Sequence, residues 1–269
     1  NDSWMIGALI FANIVQAIAF AFSRPANKAI ITELVEKDEL VLYNSRLELV
    51  MQVVSVSSPV LSFLVLQFAS LRITLVLDAL SFFLAFGLVA LLPKKEEKTL
   101  GEKKLTFKVI CADIKEGVHY IVKQKEIFFL LVMASSVNFF FAAFNYILPI
   151  SNQLYAVQGA YSTILTMGAI GSIVGALLAS KIKASMEMLL FLLALTGLGV
   201  MIMGFPLPSY LVFSGNFICE LFMTIFNIQF FTQVQTKVEG EYLGRVLSSI
   251  YTLAILFMPI ATGLMTLLP

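Results

Sequence analysis

The chain has 269 residues; 59% are hydrophobic, 13% are charged, and the mean hydropathy is +0.92. A soluble domain is about 45–50% apolar, so the composition excludes a soluble fold standing alone. A formal net charge of +1 leaves no electrostatic footprint for nucleic acid as a partner.

Eight apolar runs follow one another at 4–22, 47–69, 73–92, 127–149, 160–180, 186–205, 210–233 and 246–268. Each approaches the roughly 20 residues with which an α-helix crosses about 30 Å of hydrocarbon. The runs lack period-2 alternation, which argues against a barrel. Backbone polar groups cannot stay unpaired in lipid, so helices are predicted. Seventeen of the 18 Lys and Arg residues fall in alternate gaps: four between Arg24 and Arg46, nine between Lys94 and Lys125, then Lys181 with Lys183, and Lys237 with Arg245. Only Arg72 lies elsewhere. The positive-inside rule makes the odd-numbered gaps, 93–126 among them, cytoplasmic. Both ends then fall outside, and with no positive n-region before the first run the chain is expected to be a fragment lacking spans at both ends.

In the first run, Asn13 and Gln16 share a face with Phe20. The second carries Ser57, Ser58, Pro59 and Ser62, and Glu48 just inside its cytoplasmic end. Asp78 lies about one turn into the third, near Arg72. Asp78 reads either as an interhelical or interfacial partner or as a gating or proton-carrying group. The gap 93–126 holds Phe107, Ile110, Cys111, Ile114, Val118, Ile121 and Val122 at helical spacing, which predicts an amphipathic helix with a basic polar face on the membrane surface. It divides the chain into 1–92 with three spans, the linking loop 93–126, and 127–269 with five.

The fourth run places Asn138, Phe141 and Asn145 on one face; amides among aromatics suit an apolar ligand with scattered polar groups. The fifth has a small-residue face, Gly168, Gly171, Ser172 and Gly175, made for close helix contact. In the seventh, Asn216, Glu220, Met223 and Asn227 share one face. A carboxylate in mid-span costs several kcal/mol unless protonated, paired or hydrated. Glu220 is therefore either a proton-coupling group beside a substrate-facing stripe or a neutral carboxyl bonded to a neighbouring helix. Arg24, Glu33, Asp38, Glu241 and Arg245 crowd the cytoplasmic junctions, as solvated charges or as salt bridges that close a gate between two halves. His119 is the single histidine, and with no HExxH or GxSxG pattern no metal, cofactor or enzyme activity is predicted. Cys111 and Cys219 lie at different depths, too far apart for a disulfide.

Leu34–Leu40 resembles Lys237–Leu243 at an offset of 203 residues, and Pro59 and Pro259 lie 200 apart. Two same-sense halves of about 200 residues make a parallel repeat, an arrangement common in secondary transporters. If the copies open spans five and eleven of a twelve-span (6+6) protein, the eight visible spans are four to eleven.

Several segments carry a family resemblance: Ser23-Arg24-Pro25-Ala26-Asn27-Lys28-Ala29 with Ile31-Thr32-Glu33-Leu34-Val35 and Asn44-Ser45; Leu77-Asp78-Ala79-Leu80-Ser81-Phe82; Leu148-Pro149-Ile150; Gly168 to Ala179; and Gly244-Arg245-Val246. In this order they resemble major facilitator superfamily exporters, in the branch of macrolide efflux proteins and the enterobactin exporter. Ser57 to Ser62 stands where antiporters of that superfamily usually carry glycines around a Gly-Pro; Ser58, Pro59 and Ser62 would serve helix packing there. The resemblance implies an all-α polytopic, monomeric exporter in the bacterial plasma membrane. It would move an amphipathic, macrolide-like molecule outward in exchange for protons by alternating access. A siderophore or metabolite exporter of the same fold is the second reading, and a non-transporting scaffold or sensor the third.

Overall fold

The computed structural model describes residues 2–68, 71–91, 107–183, 185–205 and 207–267. Its helices are α1 (Asp2–Leu34), α2 (Leu40–Phe68), α3 (Leu71–Ala90), α4 (Phe107–Lys123), α5 (Lys125–Ile147), α6 (Ser151–Leu154), α7 (Ala160–Ala179), α8 (Met186–Gly204), α9 (Ser209–Lys237) and α10 (Gly240–Met265). No strand occurs among the described residues. Each of the eight apolar runs lies on a helix of its own, and the all-α membrane architecture stands. Among the described residues, five helical segments are long and apolar enough to cross a membrane: 125–154, 160–179, 186–204, 209–237 and 242–265. Residues 76–90 of α3 form a shorter apolar helix.

The helices outrun the apolar segments. α1 continues 12 residues beyond Phe22 to Leu34, about 18 Å at 1.5 Å per residue. It does so through Pro25, although proline removes one intrahelical bond. The turn to α2 is correspondingly short. Likewise α9 runs to Lys237, whose charge suits the negative end of the helix dipole. Ser185 caps α8 by accepting from the Met188 amide at 3.1 Å, and Glu187 sits in the first turn. Before α7 the chain reverses through Gly159, whose φ of +80° costs glycine little.

α9 is the central post, packed most extensively against α7 and α8, while α5 packs on α10. The main core gathers Phe226 and Phe230 of α9, Leu130 of α5, Leu189 and Leu192 of α8, and Leu247 and Ile250 of α10. Buried Gln229 on α9 reaches the end of α7, donating to the Ala179 and Ile182 carbonyls at 2.7 Å each. The Ala179 carbonyl also accepts from the Ile182 amide at 3.2 Å, so Gln229 reinforces the turn that ends α7.

α1 packs on α10, and α2 on α7 and α9; the end of the bundle where Lys and Arg collect is the basic end. The buried residues of α1 and α2 among those described are Pro25, Ile31, Leu40, Asn44 and Ser45. The rest of α1, from Ile10 to Arg24, is exposed, as is α3 from Val76 onward. α4 is held at the same end. Ile121 is fully buried, Tyr120 stacks on Tyr242 at 4.9 Å, and Gly117 presses on the start of α10. Ile114 and Val122 stay exposed.

Candidate functional site

The polar stripe of α9 turns toward α7. Asn216 is buried and donates its Nδ2 to the Ile164 carbonyl at 2.7 Å. One turn on, half-buried Glu220 accepts from the Ser172 hydroxyl at 3.3 Å. Met223 is buried in the main core, and Asn227 is half-buried. The approach is made possible by Gly168, Gly171 and Gly175, all buried. A Cβ at Gly168 would meet the Asn216 amide and come within 3.1 Å of Glu220 Cγ; at Gly171 and Gly175 it would strike the Phe217 and Leu221 carbonyls of α9. α8 closes on the other side in the same manner, with Gly199 against Gly215. Glu220 thus lies in a tight three-helix seam. Its carboxyl accepts from a neutral donor, the Ser172 hydroxyl, and the Glu48 charge of α2 acts on it.

The other sequence-derived candidates lie apart from this seam. Asn13 and Gln16 are on the exposed face of α1, where Asn13 joins Ile6, Ile10, Ile14 and Ala17 around an open groove of about 440 Å³. Asn138 turns its amide back to the Ala134 carbonyl at 2.8 Å. Phe141 packs on the core with its ring 6.3 Å from Phe144, and Asn145 is exposed. Asp78 is exposed on α3. Ser58 is exposed and bonds back to the Val54 carbonyl at 2.7 Å. The side chains of Pro59, Ser62, Arg72 and Glu241 lie outside the described residues.

At the basic end, Arg24 is exposed and sits 5.5 Å over the Phe20 ring of its own helix. Glu33 and Asp38 are exposed. Arg245 pairs with Glu116 of α4 at 3.1 Å, and Lys237 pairs with Glu126 of α5. The groups that tie α1 and α2 to α9 are ones that sequence reasoning did not single out as functional. Asn44 Nδ2 donates to Gln235 Oε1 at 2.7 Å and to Thr232 Oγ1 at 3.2 Å. Gln235 Nε2 donates to the Lys28 carbonyl at 2.9 Å, and Lys28 Nζ donates to Asn44 Oδ1 at 3.3 Å. Asn44 and Gln235 are each 2% exposed. Lys28 lies beyond the apolar run; burial pulls its ammonium below the ordinary lysine value, while the Glu48 charge pushes the other way. The available signal was Gln229, Thr232 and Gln235 at intervals of three along an apolar span.

The family model for the Major Facilitator Superfamily matches residues 2–262. The chain belongs to the Major Facilitator Superfamily. It is similar to the Macrolide efflux protein A of Enterococcus faecalis, 24% identical over 271 residues, an alignment covering 96% of this chain and 80% of that protein. It is also 25% identical to the Macrolide efflux protein A of Streptococcus pyogenes over 271 residues, 96% of this chain and 64% of that protein. Against the streptococcal relatives the chain therefore spans less than two thirds of their length. No solved structure gives a significant match. Membership places the chain among membrane transporters of small molecules.

Proposed function

We propose that the chain is the membrane body of an exporter that moves an amphipathic, macrolide-like molecule outward in exchange for protons. The observation that carries the reading is the Glu220 carboxyl, half-buried mid-span with a neutral hydrogen-bond donor. A carboxylate so placed is costly when charged and cheap when protonated. A group of that kind biases two conformations differently as it gains and loses a proton, and only such a difference can drive a change of state. Asp78 is the second candidate, with its side chain exposed on α3.

In this reading 1–92 and 127–269 belong to two halves, 93–126 links them, and the basic end faces the cytoplasm of a bacterium. The Lys28–Asn44–Thr232–Gln235 network, rather than exposed charges, seals that side. The substrate class rests on the names of the relatives. The test is accumulation of a labelled macrolide in bacteria expressing the protein, with and without a protonophore. Export lowers accumulation and the protonophore restores it. Unchanged accumulation in both conditions would remove the macrolide and bring forward a siderophore or another amphipathic metabolite.

A further inference from the structure

The α7–α9 seam contains one polar atom that the packing leaves unanswered. Asn216 Oδ1 is buried without a hydrogen-bond partner among the described residues. Its orientation is fixed, because the Nδ2 of the same amide donates to the Ile164 carbonyl at 2.7 Å. Turning the amide over would set two oxygens against each other. An amide oxygen can only accept, so the atom needs a donor.

Glu220 stands four residues further along α9, on the same face. Both side chains lie over Gly168, where a Cβ would meet the Asn216 amide and would reach to 3.1 Å of Glu220 Cγ. The space they share is thus floored by backbone. A charged Glu220 has no hydrogen to offer, and its oxygens repel Oδ1. A protonated Glu220 carries an O–H that Oδ1 can accept. Ser172, on the other side, does not discriminate, since a hydroxyl can donate to a carboxylate or accept from a carboxylic acid. The other titratable groups interacting with Glu220 are Glu48, presented by α2, and Cys219 beside it on α9. Within their own sequences α7 carries Tyr161, exposed in the turn before Ile164, and α8 carries Glu187 in its first turn.

We propose that Asn216 is a positioning residue for the transported proton, its Oδ1 accepting the O–H of protonated Glu220 and having no favourable partner once that proton leaves. The inference rests on the proton-coupling role of Glu220. It assigns Asn216 to the carboxyl rather than to the substrate. Gain of the proton completes the hydrogen bonding of the seam. Loss of it leaves an acceptor beside a negative charge, a tension that moving α9 relative to α7 would relieve.

The test is the pH profile of transport in proteoliposomes for Asn216→Leu, for Glu220→Gln and for the double variant. Asn216→Leu removes an interaction that only the protonated form can make. Its midpoint should therefore move to lower pH by about one unit, a tenfold weaker hold on the proton, the size expected for one buried hydrogen bond. The double variant should match Glu220→Gln alone. A merely structural Asn216 would scale transport by one factor at every pH and leave the midpoint in place, which would overturn the inference. If instead Glu220→Gln keeps the wild-type profile, the proton-coupling reading itself falls. Should Asn216→Leu not reach the membrane, the infrared C=O stretch of protonated Glu220 in Asn216→Ala serves the same end. A shift to higher wavenumber supports the hydrogen bond to Oδ1, and an unmoved band refutes it.

Discussion

Lys28 Nζ sits 4.9 Å from the centroid of the Phe231 ring. The two positions are 203 residues apart, the offset that relates Leu34–Leu40 to Lys237–Leu243. Leu40 and Leu243, equivalent under the same offset, are 0% and 2% exposed. On the proposed two-half reading, positions related by that offset meet where they lie near the axis between the halves. At this level Asn44, Thr232 and Gln235 bind α2 to α9. The contact of α2 with α9 is therefore polar, buried and close.

That network is expected to act as a unit. Asn44→Ala and Gln235→Ala should each lower stability by about 1–3 kcal/mol, because each strands a buried partner. The double variant should cost clearly less than the sum, since the second change removes a group already unpaired. Thermal unfolding in detergent measures the cycle; strict additivity would show that the two amides do not depend on each other.

The glycines of the helix seams should differ sharply in tolerance. Gly171→Ala drives a methyl into the Phe217 carbonyl of α9, a backbone atom that cannot swing aside. Gly197 on α8 has nothing within 4 Å of its would-be Cβ. Gly197→Ala should be neutral or stabilising by up to about 1 kcal/mol, from reduced freedom of the unfolded chain. Gly171→Ala should instead cost on the order of 1–3 kcal/mol by overpacking. Equal melting temperatures for the two would contradict the close approach of α7 and α9.

The amphipathic helix α4 should be held by shape more than by charge. Glu116 and Arg245 are 3.1 Å apart, but the Glu116 side chain is exposed and that of Arg245 partly so. Glu116→Gln should change stability by no more than about 1 kcal/mol. Gly117→Ala places a methyl 2.7 Å from Ser249 Oγ and 2.8 Å from the Arg245 carbonyl, and should lower the melting temperature more. The reverse order would mean that the ion pair, not the packing, holds α4 to α10.

Much of this arrangement is written locally and so was legible. The eight apolar runs gave the helices, the spacing of Phe107 to Val122 gave α4, and Gly168, Gly171 and Gly175 marked a close-packed face that the structure buries. Glu220 stood out because a mid-span carboxyl is rare whatever it touches. What periodicity gives is a face; it does not name the partner. Asn44 and Gln235 are 191 residues apart, and either alone reads as an ordinary polar residue at a helix end. Conversely, Arg24, Glu33 and Asp38 drew attention as charges at a junction, and all three are exposed. Charge costs nothing in water, so its presence near a helix end says little about pairing. The extension of α1 to Leu34 was also hidden, because hydropathy marks where lipid ends and not where a helix does.

The central claim is that a proton on Glu220 drives export. Its most direct test is uptake of a labelled macrolide into inside-out vesicles under an imposed pH gradient, for the wild type and for Glu220→Gln. The account predicts that the gradient accelerates wild-type uptake, whereas the variant, fixed in a neutral form, binds and exchanges substrate but ignores the gradient. Gradient-driven uptake by Glu220→Gln equal to the wild type would contradict it.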